Sequence, residues 1–556
     1  MYIWMKRFTI LLLSVFLLSS CENRTIIDYS TLPKGTVLVG NMSDGMKLYL
    51  IREDAGKMAG ICLIDSNQAI VEKMRFFADS TGVTTLIIEN DVYAGEMQIN
   101  PSSQEMKLSL PKIPVININP QTVHLTYFGK ISESVACLER YKNPVFDSII
   151  AANDIQYGTA TGYYTSKPVD YISKDDYIHL FDEMYNTYKN NVIKQGMTEL
   201  PLYFDFYHPE NDTLNKRPLL LFIHGGAFFF GDKENKMQNA LTAYFVKRGY
   251  VVASINYRLG STLIGTAAIE RSIYRNVQDT RAALRYLVAH KDSFRIDEKQ
   301  IYLAGSSAGG IIALTTAFMD SDEVYSSIDE GQWWHIRSNL GGLDDSGNNI
   351  ITGFNIAGVA SFWGGVTDLK MLNNPVPTLM FHGKEDDIIP YDKGLPFKNF
   401  MGEVVLRFLS STWKLYGSES IFNHLTALSI PAKYIPLHGS GHDPHIEPDG
   451  SLNPTMDIIC DETCAFLYDN LSKQYFNYEL SGKTSIEKSE PAPVYRLTNA
   501  ENASVQWEVD GGFITDQTNS AIRVIWFSSH TTGTVTTCIT NKQGVSCRKE
   551  LTIQIN

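Results

Sequence analysis

The middle of the chain carries a series of apolar runs, and these constrain its fold more than any other feature. They are LLLFIHGG, YVVASINYRL, IYLAGSS, IAGVASFWGG, PTLMFHGK and AKYIPLHGSGH. Near-continuous apolar strands are expected where a sheet is buried on both faces, as in parallel α/β folds. Helical segments separate several of the runs. In NVQDTRAALRYLVAH, residues Val277, Thr280, Leu284, Leu287 and Val288 share one helical face. Strand alternating with helix over residues 145–475 predicts βαβ units and an α/β, doubly wound, mostly parallel sheet. Ligands of such sheets bind beyond the carboxyl ends of the strands. The residues just after each run are therefore the first to examine.

His224-Gly225-Gly226-Ala227-Phe228 follows LLLFI directly. Glycines let a backbone turn its N–H groups toward a ligand, and paired N–H donors aimed at a developing oxyanion are what acyl transfer requires. His224 itself reads as a brace for this loop. Next, IYLA leads into Gly305-Ser306-Ser307-Ala308-Gly309, which fits the G-x-S-x-G nucleophile elbow. The residues two before and two after such a serine must be small. Centring on Ser307 puts Gly305 and Gly309 there; centring on Ser306 puts Ala304 and Ala308 there, which is sterically poorer. AGGIIALTTAF after Ser307 is small and apolar enough to pack as a helix under a sheet.

A serine hydroxyl needs a base, and the base an orienting acid. Downstream, VPTLMF ends in His382-Gly383-Lys384-Glu385-Asp386-Asp387, and AKYIPL ends in His438-Gly439-Ser440-Gly441-His442-Asp443-Pro444-His445. Acid and histidine thus follow the serine in the order Ser, Asp, His, each at the end of a strand-like run. A solvated acidic turn and a polar loop would not account for that order and placement together.

HGGAF at 224–228, NYRL at 256–259, GSSAGG at 305–310, HGKEDDIIP at 382–390 and GSGH at 439–442 together resemble an α/β-hydrolase esterase. The nearest resemblance is to the carboxylesterases that include hormone-sensitive-lipase-like enzymes and bifunctional deacetylase/feruloyl esterases, and it covers roughly residues 200–475. It implies Ser307 as nucleophile, Asp386 as acid, with Ile389 in place of a usual valine, and His442 as base. It also implies oxyanion donors at the backbone N–H groups of Gly226, Ala227 and Ala308. Ala227 stands where the common form has a third glycine, a change that keeps the backbone donor. Asp387 and His445 stand as the alternative acid and base. Such chemistry needs no metal or diffusible cofactor. The implied reaction is hydrolysis of carboxylic esters through an acyl-enzyme.

Residues 1–20 read as an export signal: Lys6 and Arg7 precede an apolar run too short to span a bilayer. Leu18-Ser19-Ser20-Cys21 resembles the lipobox of bacterial lipoproteins, which implies lipidation at Cys21 and a membrane-tethered exported protein. Residues 21–125 read β-rich, from TVLVG, KLYLI, MAGICLI, TTLIIEN and MKLSL, without a chemical signature. Residues 476–494 are polar, with two prolines, and read as a linker. Residues 495–556 alternate apolar with polar and fit a small β-sandwich that resembles the PKD-like, Ig-type modules of secreted bacterial proteins.

The net charge of −13 over 556 residues argues against a nucleic-acid partner, which would need clustered Lys and Arg. Cys538 and Cys547 flank a hairpin turn, so a cross-strand disulfide between them is one expectation. Cys460 and Cys464 lie on an apparent helix without His or Cys partners, and neither pair reads as a metal site.

Segments 320–355 and 395–428 read as insertions around the site, with Trp333, Trp334, Phe362 and Trp363 as candidate pocket aromatics. An exported, lipid-anchored esterase with a β-sandwich suggests removal of acetyl or feruloyl groups from polysaccharide side chains. Two other readings remain open: a serine peptidase of the prolyl-oligopeptidase type, which shares the order of the triad, and a non-catalytic surface lipoprotein that binds glycans. HGGAF with NYRL, and the absence of a preceding propeller repeat, favour the esterase.

Overall fold

The computed structural model describes residues 36–43, 45–52, 58–64, 70–78, 83–88, 91–100, 105–110, 121–130, 137–166, 186, 197–260, 266–328, 339–396, 414–487, 491–526, 530–542 and 544–556. The export signal, Cys21, Trp333 and Trp334 lie outside these residues. The chain divides into two compact units. One comprises residues 138–477 with 543–546; the other comprises residues up to 137 with 478–542 and 547–556.

The larger unit is built on one sheet of eight strands. They are β1 (Ile149–Gly162), β2 (Thr198–Pro209), β3 (Arg217–Ile223), β4 (Val251–Ile255), β5 (Ile296–Ser306), β6 (Gly358–Phe362), β7 (Thr378–Gly383) and β8 (Ala432–Leu437). Their order across the sheet is β8-β7-β6-β5-β3-β4-β2-β1. β3 to β8 run parallel, while β2 is antiparallel to both β1 and β4.

Every residue of β3, β4, β6 and β7 is buried. Alternation of side chains explains why. Leu219, Leu221 and Ile223 of β3, Ala253 and Ile255 of β4 and Leu303 of β5 join the core formed with helices α2 (Thr266–Ala289) and α3 (Ala308–Phe318). Leu220, Phe222, Val252 and Phe381 are just as buried but lie outside that core. Helices α1 (Lys236–Val246) and α5 (Thr455–Tyr475) pack against each other, α1 against β4 and α5 against β6 and β7. A sheet covered on both faces has no polar alternation, which is what the apolar runs recorded. A further helix, α4 (Ser418–Ala427), packs against β7 and β8. Among the described residues, no helix is long and apolar enough to cross a membrane.

In the second unit, eight strands from Thr36–Asn41 to Gln121–Lys130 pair antiparallel in sequence order, and the last closes onto the first as a barrel. Closure leaves no free sheet edge. The cross-strand pair Leu108 and Val123 is fully buried.

The C-terminal part of this unit holds two four-stranded sheets. They recruit Leu480–Ser481 and Ser485–Ile486 from the stretch read as a linker. Ser485 and Ile486 pair in parallel with Gln554 and Ile555, so this polar segment serves as a short edge strand. Cys538 forms its disulfide with Cys137, 401 residues away in sequence, and not with Cys547. The expectation from the hairpin is thereby corrected: the turn between Cys538 and Cys547 was legible locally, whereas the approach of Cys137 is a long-range contact. Cys460 and Cys464 are buried thiols on α5.

Candidate active site

The carboxyl ends of β3, β5, β7 and β8 carry the residues singled out by sequence, and the sheet brings them together. Ser307 follows β5 at φ 54° and ψ −119°, a strained conformation for a side chain with a Cβ, and stands at the N-terminal boundary of α3 without a side-chain capping bond. Gly305 and Gly309 are required by close approach. A Cβ on Gly305 would lie 2.3 Å from Gly309 O, and one on Gly309 only 2.1 Å from Ile223 O at the end of β3. The turn is therefore tight enough to lift Ser307 off the sheet only with glycine at both places. Ser306 is the last residue of β5, and the ambiguity between the two serines is resolved by what they touch.

His442 Nε2 lies 2.9 Å from Ser307 Oγ, and His442 Nδ1 lies 2.8 Å from Asp386 Oδ2. His442 sits in the loop after β8 and Asp386 in the loop after β7. The Asp386 side chain is fully buried, and its Oδ1 accepts the backbone N–H groups of Ile388 (2.8 Å) and Ile389 (2.9 Å). Burial alone would raise the Asp386 carboxyl, but His442 and His382 hold it well below the usual carboxylate range. For His442, burial acts to lower the pKa. The negative charges of Asp386, Asp443 and Asp387 outweigh it and raise the imidazole to about 9. Asp387 thus contributes charge, while Asp386 makes the contact.

His445, the alternative base, does not reach Ser307. It stacks on Trp363 with ring centroids 5.0 Å apart, and burial pushes it down to about 4. Trp363 and Phe362 are 0% and 1% exposed, so they belong to the core behind the histidine loop and not to an open aromatic platform. Trp363 presents its ring edge-on to His442 at 6.4 Å.

The loop after β3 abuts the elbow: a Cβ on Gly225 would lie 3.3 Å from Ser307 Cβ. Gly226, Ala227 and Phe228 follow one another at φ 112°, 51° and 68°. This run turns the Gly226 carbonyl inward, where it accepts the N–H groups of Phe229 and Phe230, each at 2.9 Å. The N–H groups of Gly226 and Ala227 take no partner among the described residues. Ala308 opens α3, where the first N–H groups of a helix have no intrahelical acceptor. His224 is fully buried, stacks on Tyr257 at 4.2 Å, and its Nδ1–H donates to Gly225 O at 2.7 Å.

The segment NYRL carries more of this loop's support than its sequence revealed. Gly260 N–H donates to Phe228 O (2.8 Å), and Tyr257 Oη donates to His224 O (2.8 Å). Asn256 Oδ1 accepts Lys233 N–H (2.7 Å). Arg258 is anchored on Asp279 of α2, Nε donating at 2.8 and 3.0 Å, and on the carbonyls of Thr161 and Arg275. The only sequence signal for this was a charged residue embedded in an otherwise apolar run.

Among the described residues, no group of three or more His, Cys, Asp or Glu is placed to hold a metal ion. Ser307, His442 and Asp386 in hydrogen-bonded series, beside backbone N–H groups without partners among the described residues, form an arrangement suited to acyl transfer.

A family model described as BD-FAE matches residues 204–375. Among curated proteins, the chain is 32% identical over 105 residues to Esterase-5B of Drosophila persimilis, covering 19% of each protein. It is 33% identical over 113 residues to Carboxylesterase 3B of Mus musculus, covering 20% of this chain and 19% of the relative. The chain thus spans about a fifth of the length of these curated relatives. Among solved structures, a truncated form of a carbohydrate esterase from gut microbiota aligns over 59% of this chain and 97% of its own, at 16% identity and a TM-score of 0.36. The larger unit has the α/β-hydrolase fold, and the stretch of it from residue 204 to residue 375 is similar to BD-FAE.

Proposed function

We propose that this protein is a serine esterase that hydrolyses carboxylic esters through an acyl-enzyme. The observation that carries the reading is the continuous series Ser307 Oγ, His442 and Asp386, with separations of 2.9 and 2.8 Å. His442 takes the Ser307 proton as Oγ attacks the ester carbonyl carbon, while Asp386 holds the imidazole in the Nδ1–H tautomer and stabilises the imidazolium. The backbone N–H groups of Gly226, Ala227 and Ala308 receive the negative charge that develops on the carbonyl oxygen. His442 then gives its proton to the leaving alcohol. Water, deprotonated by His442, attacks the acyl-enzyme and releases the acid, restoring Ser307.

The substrate class is an acylated polysaccharide or oligosaccharide from which acetyl or feruloyl groups are removed. That narrower reading is supported by the motif resemblance, by the BD-FAE match and by the export signal with its lipobox-like Cys21, which would tether the enzyme to a bacterial membrane. The C-terminal β-sandwich then corresponds to the PKD-like module.

A fluorophosphonate probe tests the central step. Mass spectrometry should find the adduct on the peptide carrying Ser307, and labelling should vanish in Ser307→Ala. A panel of acetylated xylan, feruloylated arabinose, simple acyl esters and aminoacyl-proline amides reads the substrate class. Turnover of the amides above the esters would favour a peptidase instead.

A further inference from the structure

Asp386 is held by a second histidine that the triad does not include. His382, in β7, is fully buried. Its Nε2 lies 3.2 Å from Asp386 Oδ2 and 2.9 Å from Ile389 O. Both neighbours are acceptors, so Nε2 carries the proton and shares it between them. On the other side of the ring, Nδ1 lies 2.9 Å from Ser418 Oγ. Ser418 is the first residue of α4 and is fully buried; in the Nε2–H tautomer it donates to Nδ1.

With this contact, four N–H groups lie within 3.2 Å of the Asp386 carboxylate. Oδ1 accepts Ile388 and Ile389 N–H, Oδ2 accepts His442 Nδ1–H, and His382 Nε2–H, bonded to Ile389 O, stands 3.2 Å from Oδ2. A carboxylate has about four acceptor positions, so three hydrogen bonds and the adjacent imidazole N–H hold its orientation toward His442.

We infer that His382, oriented by Ser418, is a positioning residue for the acid: it fixes the Asp386 carboxylate for His442 and draws off part of its charge. The inference rests on the esterase reading, in which Asp386 serves the base. Two consequences follow from the geometry. First, His382 never touches the reacting atoms, so its loss acts on kcat and leaves KM nearly unchanged. Second, a donor on Oδ2 competes with His442 for the same negative charge, so removing it strengthens the hold of Asp386 on the imidazolium. The charged groups facing His442 are Asp386 and Asp387 from the loop after β7 and Asp443 from its own loop, with His382 and His445 as neighbouring imidazoles. Glu419 of α4 is paired with Lys384 at 2.9 Å.

The test uses the full-length protein with p-nitrophenyl acetate, comparing wild type, His382→Leu, His382→Gln and Ser418→Ala. Thermal unfolding serves as the control for folding. His382→Leu should lower kcat ~10- to 100-fold, the usual scale for an outer hydrogen-bond partner, with KM within about threefold. Its acidic limb of kcat/KM should move upward by roughly half a pH unit or more. Glutamine can place an N–H near the position of Nε2, so His382→Gln should restore most of the lost kcat and the wild-type limb. Ser418→Ala should shift the limb in the same direction with a smaller loss of rate, and it carries the test if His382→Leu does not fold. Wild-type kcat and an unmoved limb in His382→Leu, or in Ser418→Ala, would overturn the inference. So would equal losses in Leu and Gln with no shift, which would mark a packing role. If Ser307→Ala is inactive while these variants are unaffected, this inference alone fails; an active Ser307→Ala overturns the esterase reading itself.

Discussion

His445 lies flat against Trp363, the two rings 5.0 Å apart and 21° from parallel. Trp363 in turn sets its edge to His442 at 6.4 Å. The two histidines of the GSGHDPH loop are thus sorted by neighbours: one is held toward Ser307, the other is packed into the core. His445 Nδ1 has no hydrogen-bond partner among the described residues, and burial holds the ring neutral at pH 7 by pushing it down to about 4. His445→Phe keeps the stacked ring and removes an unsatisfied polar atom. It should therefore stay within about 1 kcal/mol of wild type in stability and within about threefold in kcat. His442→Ala should abolish turnover. Ester-hydrolysis rates and denaturant unfolding of the two variants check this.

His442 must be neutral to act as base, and its imidazole is raised to about 9. Activity should accordingly rise along an acidic limb of kcat/KM that lies well above the ordinary histidine value near 6.5. The same pairing stabilises the fold most below about pH 6.5, where the unfolded histidine would also be charged. That contribution is lost as pH rises toward about 9. Asp386→Asn removes the charge that lifts the imidazole while burial remains, so the limb should fall to or below about 6.5 and kcat should drop ~10⁴-fold. A pH–rate profile of each protein measures both.

Arg258 connects the loop after β4 to α2 through Asp279, with Thr161 and Arg275 carbonyls as further acceptors. Both side chains are buried, at 4% and 0% exposure, so removing the cation leaves an uncompensated carboxylate. Arg258→Ala should lower the unfolding free energy by about 3–5 kcal/mol. Arg258→Lys should recover only part of it, since one ammonium cannot reproduce the planar fork. Chemical denaturation reads the difference.

The disulfide joins Cys137 to Cys538. Proteolysis without reductant, followed by mass spectrometry, should recover a Cys137–Cys538 cross-linked peptide. A Cys538–Cys547 link would contradict the structure.

Several features were legible because each is dictated by local physics. Apolar strands marked a sheet covered on both faces. Gly305 and Gly309 marked Ser307 over Ser306, because only glycine survives backbone approaches near 2 Å. Other features depend on contacts far apart in sequence. The strand Thr36–Asn41 closes a barrel against Gln121–Lys130, and no local pattern announces that pairing. Ile70–Ala78 and Asp91–Asn100 went unread as strands because charged residues interrupt their apolar pattern. The environment of His382 was hidden for the same reason: Ser418 lies 36 residues away and reaches it only through the packing of α4 on β7.

The central claim is that Ser307 is the nucleophile, activated across 2.9 Å by His442. Steady-state hydrolysis of p-nitrophenyl acetate by purified wild type and Ser307→Ala tests it most directly. The account predicts that wild type turns over and that Ser307→Ala loses roughly 10⁴-fold or more in kcat/KM while remaining folded. A folded Ser307→Ala protein that hydrolyses the ester at the wild-type rate would contradict it.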